Sequence, residues 1–163
     1  MICKTAVQEL RSRVSLPWFA LACVWALFIW GNSLVPSEGS GGMSMAVVDA
    51  AHRVLGSCGL PYEWITNLLV RKTGHFIEYL VLGFISTQVA HSNRSISRRM
   101  LFGAMLPCVF TAAIDETIQL FVPGRCGQMT DVLLDCCGAM AGVFLHLLAH
   151  GCLRKTRAIK TRS

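Results

Sequence analysis

The chain has 163 residues, of which 53% are hydrophobic and only 15% charged, whereas soluble domains carry roughly a quarter charged residues. That balance excludes an ordinary water-soluble fold and makes the bilayer the simpler solvent. The net charge of +6 does not indicate nucleic-acid binding either, because the basic residues sit in short segments between apolar runs, where they act as topology signals.

Residues 1–15 form a basic segment with Lys4, Arg11 and Arg13. The apolar run 16–35 meets the requirement of about 20 residues for a helix to cross the hydrocarbon core, and Trp18, Trp25 and Trp30 punctuate it. A basic start followed by an apolar run also suits a cleavable signal peptide, but the run is long and no small-x-small site follows it, so a retained anchor is expected. Next comes a stretch rich in Gly and Ser (37–44), then an amphipathic one (45–55). The latter suits either a helix lying on the membrane surface or an ordinary solvated loop helix.

The second strong run, 75–90, is short unless its helix starts earlier, which the apolar stretch 64–70 permits; the span is placed at about 73–91. The third and fourth, 100–122 and 129–150, are each long enough to cross with some tilt. Residues 151–163 form a basic tail. Of fifteen Lys and Arg residues, most fall in the N-terminal segment, in the second connection (Arg94, Arg98, Arg99) and in the tail (Arg154, Lys155, Arg157, Lys160, Arg162). Only Arg53, Arg71, Lys72 and Arg125 fall in the first and third connections. Cytoplasmic loops carry the excess of Lys and Arg, so the expected fold is an all-α membrane protein with four transmembrane helices and both termini in the cytoplasm. The membrane domain is 16–150. Eight cysteines show no zinc-type spacing, and those inside apolar runs read as small apolar side chains. This topology puts Cys58 and Cys126 outside, where a disulfide is an open alternative.

Ionisable residues within a span cost about 2.5–3.5 kcal/mol each at the centre on insertion scales. Here they share one depth. The second span starts outside with Lys72 and His75, the third ends outside with Asp115, Glu116 and Gln119, Arg125 lies in the short outer loop, and the fourth re-enters with Asp131 and Asp135. At about 100° per residue, Lys72, His75 and Tyr79 share a face above Gly83 and Ser86, while Glu78 lies off it. Gln119 falls between Asp115 and Glu116, with Cys108, Thr111 and Ala112 deeper. Asp131, Asp135, Gly138 and Gly142 form a stripe in which the two glycines allow close helix packing. The carboxylates are expected to face one another, water and the cations Lys72, Arg125 and His75, with Arg125 the best carboxylate partner because its planar fork holds two oxygens. Such a cluster is either a site open to the outer interface or an ion-pair network that holds the bundle together.

The ordered set Lys72-Thr73-Gly74-His75-Phe76-Ile77-Glu78-Tyr79, Asp115-Glu116-x-x-Gln119-x-x-x-Pro123-Gly124-Arg125 and Asp131-Val132 resembles the VanZ-like family, over Arg71 through Gly142. Asn32-Ser33-x-x-Pro36 is similar to the family's first outer boundary. The resemblance implies a four-helix bacterial membrane protein, and the family's founding member is associated with teicoplanin resistance, with no reaction attached. The motif positions carried over are Lys72, His75, Tyr79, Asp115, Glu116, Gln119, Arg125 and Asp131. The sequence departs from the family at Asp135, where asparagine is usual.

Neither cofactor nor metal is expected, since one histidine with scattered acids is a poor zinc signal. No nucleophile stands out among the outer positions, so whether the protein is an enzyme stays open. A mixed-charge cluster suits a zwitterionic or amine-bearing ligand better than a bare phosphate. The expected partners are the lipid bilayer and an envelope lipid, peptidoglycan precursor or glycopeptide, bound or acted upon, with a purely structural or partner-binding role as the alternative.

Overall fold

The computed structural model describes residues 15–91, 97–125 and 127–160, and their only regular structure is helical. Five helices follow one another: α1 (Leu16–Ser33), α2 (Ser37–Ser57), α3 (Asn67–His91), α4 (Arg98–Phe121) and α5 (Met129–Lys160). Three of them, α1, α4 and the Met129–Cys152 portion of α5, are long and apolar enough to cross a membrane. Cys126 lies outside the described residues, and with it the Cys58–Cys126 pairing.

The helix ends follow local chemistry. Pro17 occupies the first turn of α1, where its missing N–H costs nothing. Thr66 Oγ1 accepts from the Leu69 amide at 3.3 Å and Ser97 Oγ from the Met100 amide at 3.3 Å, each satisfying a donor that the first helical turn leaves over. Two boundaries differ from the sequence expectation. α3 begins at Asn67 rather than at 73, using the apolar stretch before it. α2 begins at Ser37, so the Gly- and Ser-rich stretch, which the sequence reading joined to no helix, is helical as well. Glycine costs about 1 kcal/mol per helical position, but packing against α3 buries Ser44 and Val48, and tertiary burial overrides that propensity.

The arrangement suits lipid as solvent. Large apolar side chains point outward along α1 (Phe19, Val24, Leu27), α4 (Phe102, Leu106, Phe110) and α5 (Leu133, Phe144, Leu148), whereas Ser86, Thr87, Thr111, Asp115, Glu116, Gln119 and Asp135 are buried. α3 is the axis of the bundle. It touches all four other helices and packs most extensively on α5, with Tyr79, Leu82, Ile85, Ser86 and Thr87 enclosed.

The α3–α5 contact is backbone against backbone. A Cβ added at Gly138 would lie 2.5 Å from the Phe76 carbonyl oxygen, one at Gly142 would collide with the Leu80 carbonyl oxygen, and one at Gly83 would collide with the Ala139 carbonyl. Small residues on both helices therefore set the interaxial distance. α1 is held differently, by indole donors: Trp25 Nε1 donates to the Glu78 carbonyl at 2.9 Å and Trp30 Nε1 to the Thr111 carbonyl at 3.2 Å. In α4, Pro107 removes a backbone donor, and Thr111 Oγ1 donates to the Pro107 carbonyl at 2.8 Å.

Candidate functional site

The polar residues converge because the helices alternate in direction, bringing the C-terminal ends of α1 and α4 and the N-terminal halves of α3 and α5 to one end of the bundle. At its rim, Lys72 Nζ meets Asp131 Oδ1 at 2.6 Å, with side-chain exposures of 39% and 22%. At that exposure the pair contributes only about 0–1 kcal/mol, so it orients α3 on α5 more than it stabilises either.

One turn further in, His75 Nδ1 lies 3.7 Å from Asp115 Oδ2 and 3.6 Å from Asp135 Oδ1. Both aspartates are fully buried. Beneath them on the same α3 face is Tyr79, also fully buried, its hydroxyl without a hydrogen-bond partner. Gln119 Nε2 is shared between Ser33 Oγ at 3.3 Å and Asp115 Oδ2 at 3.4 Å, which links α4 to the end of α1.

Glu116 does a different job. Its Oε2 accepts from the Gln128 amide at 2.7 Å, just where α5 begins, placing a carboxylate at a helix N-terminus where the dipole favours it. The chain can pass this close only because residue 127 is glycine: a Cβ there would lie 2.6 Å from the Glu116 carbonyl oxygen.

Arg125 corrects the expectation that it pairs with a carboxylate. Nε donates to the Val35 carbonyl at 2.9 Å and Nη2 to the Asn32 carbonyl at 3.1 Å. The cause lies in the turn before it. Arg125 N donates to the Val122 carbonyl at 3.1 Å, with Pro123 and Gly124 between and Gly124 at φ 73°, the pattern of a type II turn. That turn sends the guanidinium back over the end of α1, where the last carbonyls lack helical partners and the helix dipole is negative. Burial and the neighbouring Arg71 lower the Arg125 pKa from its usual value, yet an arginine remains a cation throughout the physiological range.

Three groups outside the sequence-derived motif set belong to this end of the bundle. Glu78, off the main face by helical angle, accepts from Asn32 Nδ2 at 2.7 Å through Oε1. Asp135, the departure from the family pattern, sits beside His75 at the centre. Asn32 and Ser33 of α1 complete the ring, and only their place before Pro36 hinted at it. A cavity of about 340 Å³ opens next to the cluster between α1, α2, α3 and the turn before α5. Its polar wall is Asn32, Ser33, Arg71, His75, Glu78 and Arg125, and Met43, Val47 and Val70 supply an apolar side.

A family model described as VanZ/LLP1 matches residues 18–150. No curated protein and no solved structure matches the chain.

Proposed function

Since the chain belongs to the VanZ/LLP1 family, we propose that it crosses the bacterial cell membrane four times, with both termini in the cytoplasm, and uses its polar cavity at the outer leaflet to bind an envelope component, contributing thereby to teicoplanin resistance. α3 is the second span, added to the three apolar ones, with its charged start at the outer face, and α2 lies along that face with Met43, Met45, Val47 and Val54 exposed to the interface. Arg98 and Arg99 open α4 at the opposite end, which supports a cytoplasmic second connection under the positive-inside rule. Reporter fusions after Ser92 and after Gly127 are expected to report cytoplasm and exterior respectively, and the reverse pattern would end this topology.

The observation that carries the binding role is the cavity. At about 340 Å³ it is at the lower end of small-ligand pockets, so it admits a lipid head group or one end of a peptidoglycan precursor, whereas a whole glycopeptide is far too large. Cations from Arg71 and Arg125, the Glu78 carboxylate and the His75 ring share its wall, a combination matched to a ligand that carries both an anionic and an amine group. Resistance then arises from withdrawal or alteration of what the antibiotic targets. In a strain protected by this protein, His75→Ala and Glu78→Gln are expected to abolish protection at unchanged membrane levels. Full protection by both variants would leave the polar cluster with a packing role alone, the reading that the Lys72–Asp131 tie favours for those two residues.

A further inference from the structure

We propose that His75, Asp115 and Asp135 form a binding site for one divalent transition-metal cation at the inner wall of the polar cavity. One nitrogen and two carboxylate oxygens, contributed by α3, α4 and α5, lie within 4.8 Å of one another. Ligand atoms about 2.0–2.1 Å from a tetrahedral zinc are roughly 3.3 Å apart. The separations from the His75 nitrogen, 3.7 Å and 3.6 Å, need to contract by a few tenths of an ångström, and the carboxylate oxygens, within 4.8 Å of each other, come together by rotation of side chains whose backbones are already fixed.

Charge and hydrogen bonding supply the second, independent argument. Both aspartates are fully buried, and His75 Nδ1, Asp115 Oδ1 and both carboxylate oxygens of Asp135 have no hydrogen-bond partner. Buried polar groups are almost always satisfied, and buried charges are paired or coordinate a metal. Among the described residues no lysine or arginine forms an ion pair with either aspartate: Lys72 meets Asp131, Arg125 donates to the carbonyls of Val35 and Asn32, and Arg71 stands on the cavity wall. A protonated His75 offsets one carboxylate and leaves the other uncompensated, whereas a divalent cation offsets both. Imidazole with two carboxylates suits zinc or manganese.

The expectation of no metal rested on one histidine among acids scattered along the sequence, and the convergence of Asp115 and Asp135 on His75 is what changes it. Three protein ligands also leave coordination positions for water or a ligand atom, and the His75 ring lines the cavity, so the ion is reachable from the space proposed to hold an envelope component. The site itself does not depend on that role, because its test measures metal and not resistance.

Full-length protein purified in detergent is chelated, loaded with Zn²⁺, Mn²⁺ or Co²⁺, and freed of excess metal. Wild type is expected to retain about one ion per chain and to melt at a higher temperature when loaded, since an ion that binds the folded state stabilises it. Asp115→Asn and His75→Gln are expected to weaken binding at least about tenfold, by analogy with losses seen for outer-shell partners alone, while Asp49→Asn on the exposed side of α2 and Cys136→Ser leave it unchanged. The Co²⁺ spectrum is expected to lack thiolate charge-transfer bands. Wild type with no retained ion and no melting shift in any of the three metals overturns the site, even if the variants fail to fold. Retention undiminished in Asp115→Asn places the metal elsewhere, thiolate bands assign it to cysteines, and either result overturns the site.

Discussion

Gly142→Leu is expected to deplete the folded protein from the membrane and to lower its melting temperature in detergent more than any other single glycine substitution. A side chain at position 142 collides with the Leu80 carbonyl oxygen and comes within 2.8 Å of the Phe84 amide nitrogen. These are backbone atoms of an intact helix, and they cannot step aside as the end of a flexible side chain can. Overpacking in a well-packed core typically costs 1–3 kcal/mol, and here relief requires α3 and α5 to move apart along the most extensive contact in the bundle. The expected loss is therefore at or above the top of that range, against a total stability of about 5–15 kcal/mol for a folded domain. Gly103→Leu on α4 is the control, since nothing lies within 4 Å of a Cβ there. Equal melting temperatures for the two variants would mean that α3 and α5 do not meet back to back.

Tyr79 separates packing from chemistry. The side chain is fully buried in the central cluster with Ile29, Leu82, Cys108, Ala112 and Ala139, so Tyr79→Ala removes a large aromatic ring and is expected to cost about 3–5 kcal/mol. Tyr79→Phe keeps the ring and deletes only a hydroxyl that has no hydrogen-bond partner. Since an unsatisfied buried polar group costs about 1–3 kcal/mol, the phenylalanine variant is expected to melt no lower than wild type, and even higher. Under the binding role proposed above, it should nevertheless lose protection against teicoplanin, because the hydroxyl lies one turn below His75 on the site's own face. Thermal melts and susceptibility measurements on the pair check both halves. A phenylalanine variant that protects fully assigns Tyr79 to packing alone.

The sequence located these elements unevenly, for physical reasons. Apolar runs at 16–35, 100–122 and 129–150 coincide closely with α1, α4 and the first part of α5 because lipid-facing helices advertise themselves by composition. The gathering of Lys72, His75, Asp115 and Asp131 at one end was legible from depth and helical angle, since side chains three and four residues apart share a face, although the individual pairs were not. Glu78 was not, because a helix with neighbours on every side has no neutral face: the side turned away from α4 and α5 is the side turned toward Asn32 of α1. Nor was the partner of Arg125, whose acceptors are main-chain carbonyls that no residue pattern records and whose direction is set by a glycine at φ 73°. The gathering of Asp135 with His75 and Asp115 was expected from their shared depth, but not its tightness, which follows only once the glycine seam has fixed how closely two helices approach.

α3 is both the least lipid-like of the four long bundle helices and the one at the axis, and this combination bears on biogenesis. Arg71, Lys72, His75 and Glu78 crowd its first turns, and each charged residue taxes entry into a bilayer by up to about 2.5–3.5 kcal/mol at the centre on translocon scales. In the four-span arrangement, its partition into lipid on its own would be poor, and the groups that neutralise it arrive later: Asp131 is made 59 residues after Lys72, and the glycines of α5 later still. On the proposed topology, insertion of the third element therefore waits on synthesis of the last. A ribosome-bound intermediate ending before α5 would hold α3 at the membrane surface or in the care of the insertion machinery, and the helix would be drawn into place as α5 enters beside it.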